Sequence, residues 1–311
     1  MPVLSVRHLT RYQYRNPVAF GDHRMMFQPR EGCDQRVLSS SLVISPTPSQ
    51  LRHVQDVFGN WIAIARFQGR SSELSFESLI TLDHTPLPAF GDHPGDVDLY
   101  ERARPIAYAA DDLTDLVQSI QPQYVDPAGT IAAWAQRFAK HAGPTSLQHL
   151  LAAMTQAIHA DFKYGTRLEH GVQTPLTTLE TQSGTCRDFA VLMMEAVRSL
   201  GLAAQFVSGY IHSPARKLGQ APRTGGGHTH AWLRVYLPSS GWIEFDPTNG
   251  IVGNTDLIRV AVVRDPRQAA PLHGTWAGFP TDYLGMEVEV EVSSPEADCT
   301  YMTPPLAAAF G

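Results

Sequence analysis

The sequence has no apolar run of about 18 residues or more, so nothing in it reads as a membrane-spanning helix. It has no surplus of basic residues either. Its 24 Lys and Arg against 30 Asp and Glu give a formal net charge of −6, with an isoelectric point near 6.1. Binding to a phosphate backbone draws on a cationic surface, so nucleic acid is not an expected partner. Cysteine is scarce: Cys33, Cys186 and Cys299 are odd in number and widely spaced, which excludes a disulfide framework and a Cys-x-x-Cys metal site. The start of the chain lacks the apolar stretch and small-residue cleavage site of a secretory signal, because Met1 to His8 alternates and Arg11 and Arg15 soon follow. These absences give the expectation of a reducing, cytoplasmic setting without membrane association.

What is present is an ordinary globular composition, with 43% hydrophobic and 17% charged residues. At 311 residues the chain exceeds the size at which one core usually stops growing, about 250 to 300 residues, and two units are expected. Short β-branched and aromatic runs fill the first part: Leu38 to Ile44, Trp61 to Phe67 and Leu74 to Leu82. Asp56-Val57-Phe58-Gly59-Asn60 reads as a hairpin turn in which Gly59 or Asn60 takes a positive φ. The pattern predicts an all-β sandwich over residues 1–88. His8, His23 and His53 share no ligand spacing and read as ordinary histidines. Residues 89–128 are Pro-rich and acidic and read as a connector, with one short helix near Asp111 to Ile120.

From residue 129 to 311 the pattern is helices followed by strands, an α+β arrangement. Helices are expected over Thr130 to His141, Ser146 to Phe162 with Ser146 as N-cap, and Cys186 to Leu200 with Gly201 as the C-terminal stop. Strands are expected over Gln205 to Ile211, His230 to Leu237, Trp242 to Asp246, Leu257 to Val263 and Met286 to Val292. The helix opened by Cys186 carries apolar residues on two adjacent rows, Ala190, Met193, Val197 and Leu200 beside Phe189, Leu192 and Ala196, and reads as a buried central helix.

Chemistry is concentrated at three points. Cys186 stands in the first turn of that helix, where unpaired N–H groups and the helix dipole favour a thiolate. Thr185 and Asp188 are spaced as a capping box. A buried, inert thiol is the competing reading, and it suits Cys33 and Cys299 better, since neither has a motif around it. Strict alternation in His230 to Leu237 puts Ala231, Leu233, Val235 and Leu237 on one face, with His230, Trp232, Arg234 and Tyr236 on the other. After the Pro238 to Gly241 turn, Trp242, Glu244 and Asp246 fall on the His230 face, with Asp246 opposite His230 or one diagonal step away. Asp246 can then hold one ring nitrogen and leave the other toward the thiol. A metal site of Cys186, His228 and His230 is the alternative, weakened by the Gly225-Gly226-Gly227 run that places His228 in a loop.

These residues resemble those of the bacterial transglutaminase-like enzymes of the papain-like cysteine-enzyme superfamily. The likeness rests on Gly184-Thr185-Cys186-Arg187-Asp188-Phe189-Ala190, Arg198 to Gly201, Val207 to Tyr210, His230-Ala231-Trp232 and Gly241 to Asn249. A similar likeness to the β-rich region that precedes this core rests on Thr10 to Tyr14, Pro17-Val18, Gln28 to Arg30 and Asp56 to Asn60. The resemblance implies a central helix packed on an antiparallel sheet, with Cys186 as nucleophile, His230 as base and acid, and Asp246 as its orienter. It implies acyl transfer on amide bonds of peptides or proteins through a thioester, whether transamidation, deamidation or proteolysis. Arg187 departs from the Gln that many relatives carry there. No calcium cluster is evident, so no metal or other cofactor is implied. Trp232, Trp242, Tyr210 and Arg187 are candidates for the substrate cleft, and residues 212 to 229 for a flap. A non-catalytic peptide-binding module on the same fold is the alternative function.

Overall fold

The computed structural model describes residues 3–90, 99–104, 106–165, 171–213 and 223–294. Six strands open the chain: β1 (Val3–Phe20), β2 (His23–Met25), β3 (Gln35–Ser45), β4 (Gln50–Gln55), β5 (Trp61–Arg66) and β6 (Arg70–His84). They form two sheets, β1 with β6 and β3 in one, β2 with β5 and β4 in the other. Alternation along the strands turns one face of each sheet inward. Tyr14, Phe20, Leu74 and Phe76 of the first sheet then meet Met25, Ala63 and Ala65 of the second in one buried cluster, which makes the region a sandwich. The β4–β5 turn is built as expected: Gly59 has φ +77°, and Asp56 Oδ1 accepts from Phe58 N at 2.9 Å and Asn60 N at 2.8 Å.

The connector is more than a tether. Leu99–Tyr100 pairs with Thr145–Ser146, and helix α1 (Ala110–Ile120) lies against the core. Helices α2 (Thr130–Gln136), α3 (Leu147–Asp161) and α4 (Pro175–Thr181) surround α5 (Cys186–Ser199). Ser146 caps α3, accepting from His149 N. The predicted Thr130 to His141 helix stops at Gln136, and α4, led in by Thr174 and Pro175, was not foreseen. α5 packs on an antiparallel sheet in which His230–Leu237 lies between Gly241–Asp246 and Ala204–Ile211, with Leu257–Val263 beyond. Phe189, Leu192, Met193 and Val197 of α5 are all buried, each contributing roughly 1.5 to 3 kcal/mol of apolar burial.

The C-terminal strands depart from the domain boundaries read from sequence. Leu272–His273 pairs with β2, Trp276–Ala277 with β1, and Tyr283–Ser293 runs along the free side of β1, so the sandwich takes strands from both sides of the core. The Val/Glu alternation of Met286 to Val292 identifies a strand but not its neighbour. The neighbour is set by β1, whose second edge needs a partner and whose Arg7 and Arg11 face Glu289 and Glu287 at 3.4 and 3.7 Å.

One continuous cluster joins the two halves, because Leu4, Val6, Ile80 and Leu82 of the sandwich pack with Tyr210, Ile258 and the α5 residues. Polar groups fix this seam. His8 Nδ1 bonds the Tyr210 hydroxyl at 2.9 Å, and the Asn60 amide pairs with Val262, donating to its carbonyl and accepting from its N–H at 2.9 Å each. Inside the core, Arg198 lies fully buried, donating to Glu195 at 2.7 Å and to the carbonyls of Ser119, Ala204 and Arg264. Glu195 in turn accepts from Gln123 N and Tyr124 N, which bolts the connector to the central helix.

Candidate active site

The start of α5 is over-determined. Thr185 caps it by accepting from Asp188 N, while Asp188 Oδ2 accepts from Thr185 N at 2.9 Å and from its hydroxyl at 3.0 Å. Asp188 Oδ1 also accepts from Gln173 N at 2.9 Å. Cys186 is therefore the first residue of a helix whose entry is fixed by a reciprocal cap. It is buried, whereas Cys33 is exposed. Cys299 lies outside the described residues.

Across from it, Leu233 pairs with Phe245 and Arg234 with Glu244, so Asp246 stands one diagonal step from His230 on the same face. His230 Nε2 donates to Asp246 Oδ2 at 2.8 Å, with both side chains fully buried. The His230 Nδ1 has no partner of ordinary hydrogen-bond geometry. His230 and Cys186 together line a cleft of about 150 Å³, with Gly171, Thr185, Arg187, Thr229 and Ala231. Burial alone would lower the His230 pKa. The Asp246 carboxylate outweighs it, with the nearby Cys186 sulfur adding to the effect, and the pKa is raised to about 10. The Asp246 pKa moves down despite its burial, because His230, Asn249 and Thr248 all favour the carboxylate.

Asn249 is a residue that the sequence reading passed over. Its Nδ2 donates to Asp246 Oδ2 at 2.8 Å and to Thr224 O at 3.1 Å, and its Oδ1 accepts from Thr224 N at 2.8 Å. One amide thus fixes the aspartate and clamps the backbone of Thr224. The next residue, Gly225, has φ +93°, and a Cβ there would stand 2.6 Å from His230 Nδ1. Only glycine fits a chain that crosses the ring so closely in that conformation. The available signal was the turn chemistry of Asp246-Pro247-Thr248-Asn249, where Thr248 N bonds back to Asp246 Oδ1 at 2.9 Å.

Tyr164 was missed as well. Lys163–Tyr164 pairs with Ser183–Gly184, two residues ahead of Cys186, and the phenol is close enough to feel Cys186 and Asp246 electrostatically. Its pKa is pushed up to about 12 by burial, with Cys186 and Asp246 adding to the shift, so the hydroxyl keeps its proton. Arg187 does line the cleft. It donates to Pro266 O at 3.0 Å and lies 5.3 Å from the Phe206 ring centroid. Its pKa is lowered by burial, against the opposing pull of Cys186 and Asp188.

The other three cleft candidates lie elsewhere. Trp232 is fully buried, stacked at 5.9 Å on His230 and donating to Glu244 at 3.0 Å. It supports the ring rather than walling the cleft. Tyr210 is enclosed at the seam by His8. Trp242, at the far end of the hairpin, stacks on Arg234. Strand parity had placed Trp232 and Trp242 on the correct face, but the sandwich covers much of that face. His228 is exposed on a bend ahead of the strand. Among the described residues no group of three or more His, Cys, Asp or Glu could hold a metal ion. Of the expected flap, residues 214–222 lie outside the described residues.

Residues 4–83 match the bacterial transglutaminase-like N-terminal region, and residues 132–247, which hold Cys186, His230 and Asp246, match the transglutaminase-like superfamily. An uncharacterized protein of Mycobacterium leprae (strain TN) is 28% identical over 288 residues, 92% of this chain and 98% of its own length. A protein-glutamine gamma-glutamyltransferase of Pseudomonas aeruginosa is 32% identical over 113 residues, 35% of this chain but 16% of that protein. A solved structure from Cytophaga hutchinsonii, described provisionally as a cysteine protease, shares the fold with a TM-score of 0.68 at 17% identity, covering 100% of this chain and 92% of that one. The two regions are thus matched in order, residues 4–83 being similar to the bacterial transglutaminase-like N-terminal region and residues 132–247 to the transglutaminase-like superfamily, and the fold is shared along the length of the chain.

Proposed function

We propose that the protein is a cysteine-dependent acyl-transfer enzyme acting on amide bonds of peptides or proteins. The observation that carries this reading is the buried Asp246–His230 pair, with His230 and Cys186 lining the same small cleft at the head of α5. Asp246 holds the ring by Nε2 and stabilises its charged form, so His230 carries the proton at rest and the sulfur acts as nucleophile. Sγ attacks the amide carbonyl carbon and the carbonyl π electrons move to oxygen, where the first-turn N–H of Cys186 is a donor. As the tetrahedral intermediate collapses, the C–N bond breaks and His230 Nδ1 gives its proton to the departing ammonia or amine, leaving a thioester. Water or an amine then gives a proton to Nδ1 and attacks the thioester carbon, and the C–S bond breaks to regenerate the pair. Water yields deamidation or proteolysis, and an amine yields transamidation.

The test is mass spectrometry of a glutamine-rich peptide library incubated with wild type, Cys186→Ala and His230→Ala, with and without an added primary amine. Cleavage, a one-dalton gain or amine incorporation is expected from wild type alone. Equal modification by all three proteins would remove Cys186 and His230 from the chemistry.

A further inference from the structure

A second cleft, of about 350 Å³, opens at the seam between the sandwich and the core sheet, at the far end of the hairpin from Cys186. Its walls bring together Arg30, Arg234 and Arg259, with Asp34 and Glu244 as the neighbouring acids. Both acids are committed to one arginine. Arg259 donates to Asp34 Oδ1 at 2.8 Å and Oδ2 at 3.0 Å, and also to Glu244. Asp34 further accepts from Asn254 at 2.6 Å, and Glu244 from Trp232 at 3.0 Å. Glu31, also on the wall, accepts from Val37 N at 3.0 Å.

Two guanidinium groups are left over. Arg234 lies flat on Trp242, 4.4 Å from the ring centroid, and its Nε and Nη2 are held by the single oxygen of Gln205 at 3.0 and 2.7 Å. Its Nη1 makes no hydrogen bond among the described residues, and no carboxylate pairs with it there. Among the described residues the Arg30 guanidinium donates to the Phe58 carbonyl and the Asn60 amide oxygen. Neither guanidinium makes a direct ion pair with a carboxylate among the described residues, and the two share one concave wall. The Arg234 pKa is lowered to about 9, first by burial and then by repulsion from Arg259 and Arg30, against the opposing pull of Glu244 and Asp34. The stacking and the Gln205 bonds fix the Arg234 fork before any ligand arrives, which suits a planar or tetrahedral oxyanion.

We propose that this cleft binds a small ligand through a carboxylate or phosphate group, held by the guanidinium groups of Arg234 and Arg30. The site is separate from the Cys186 cleft, and the proposal stands whether or not the acyl-transfer reading does.

The experiment is calorimetric titration of the full chain with inorganic phosphate and, separately, with glutarate, at constant ionic strength. One site per chain is expected for at least one probe, weakened about tenfold or more in Arg234→Gln, as for loss of a charge-assisted hydrogen bond. Arg30→Gln is the second variant should the first fail to fold. Cys33, an exposed thiol on the cleft wall, reports location. Its alkylation, read by peptide mass spectrometry, slows as the bound fraction rises, while that of Cys186 does not. Binding of phosphate alone assigns a phosphate ligand, and binding of glutarate a carboxylate. No binding of either probe overturns the proposal, and equal binding by wild type and both variants reduces it to an adventitious ion only.

Discussion

The seam between the sandwich and the core should fail in mild acid, and His8 sets how steeply. His8 is enclosed by the Tyr210 hydroxyl at 2.9 Å, the Thr10 hydroxyl at 3.2 Å and the ring of Phe27 at 4.4 Å between centroids. None of these groups is a carboxylate, so burial prevails and lowers its pKa from 6.5 to about 4. The unfolded chain takes up a proton near pH 6.5 that the folded chain refuses until about pH 4. The contribution of His8 to stability is therefore complete above 6.5 and shrinks as pH falls through that window. At 1.36 kcal/mol per pKa unit, the shift of about 2.5 units amounts to about 3 kcal/mol. His23, His84 and His212 are shifted in the same direction, so wild type alone does not isolate the effect. The comparison is with His8→Gln, which keeps an amide near the two hydroxyls and does not titrate. Urea unfolding at intervals between pH 7 and 4 should show wild type losing about 3 kcal/mol more than the variant, although the variant starts lower. Parallel curves would mean that His8 is already charged in the folded protein, and the burial argument would be wrong.

The active-site pair titrates in the opposite sense: with the His230 pKa raised to about 10, turnover that needs the imidazolium declines as pH rises through that value. In Asp246→Asn this limb should move down toward 6.5, and the rate should fall by on the order of a hundredfold or more in a steady-state pH profile. Asn249→Ala leaves Asp246 short of one donor and frees Thr224. We expect kcat to fall about tenfold with KM little changed, since no substrate contact is removed. Glu195→Ala strands the buried Arg198 charge and should cost about 3 to 5 kcal/mol in chemical denaturation, whereas a Glu195→Gln variant, which keeps the side-chain oxygen, should lose less.

Periodicity made the central helix, the hairpin and the sandwich legible. The His230–Leu237 strand and the capping box at Thr185 and Asp188 were read to the residue, because a local pattern fully specifies each. The pairing of Asp246 with His230 was also within reach, since strand parity and a short turn leave only two registers. Side-chain surroundings were not. Trp232 and Tyr210 carry cleft-like chemistry in sequence, but Trp232 is enclosed by the core sheet and Tyr210 by His8 of the sandwich, and no local signal tells which segments will cover a side chain. Asn249 and Tyr164 were missed because their partners lie on other segments, Thr224 and the strand before Cys186. The destination of Tyr283–Ser293 is the same kind of omission, as alternation specifies a strand and leaves its neighbour open.

That strand also bears on the order of assembly during synthesis. β1 leaves the ribosome before the core, and its partner along Ser5 to Tyr14 is Tyr283–Ser293, made after the core. Until then β1 presents one bare edge, and the nascent sandwich is open to pairing with other chains. The intervening core, rich in sequence-local helices, can collapse while the sandwich waits. Closure of Tyr283–Ser293 along β1 then ties the two halves together, so that a chain cut short before Tyr283 would lose the sandwich edge and the seam it supports.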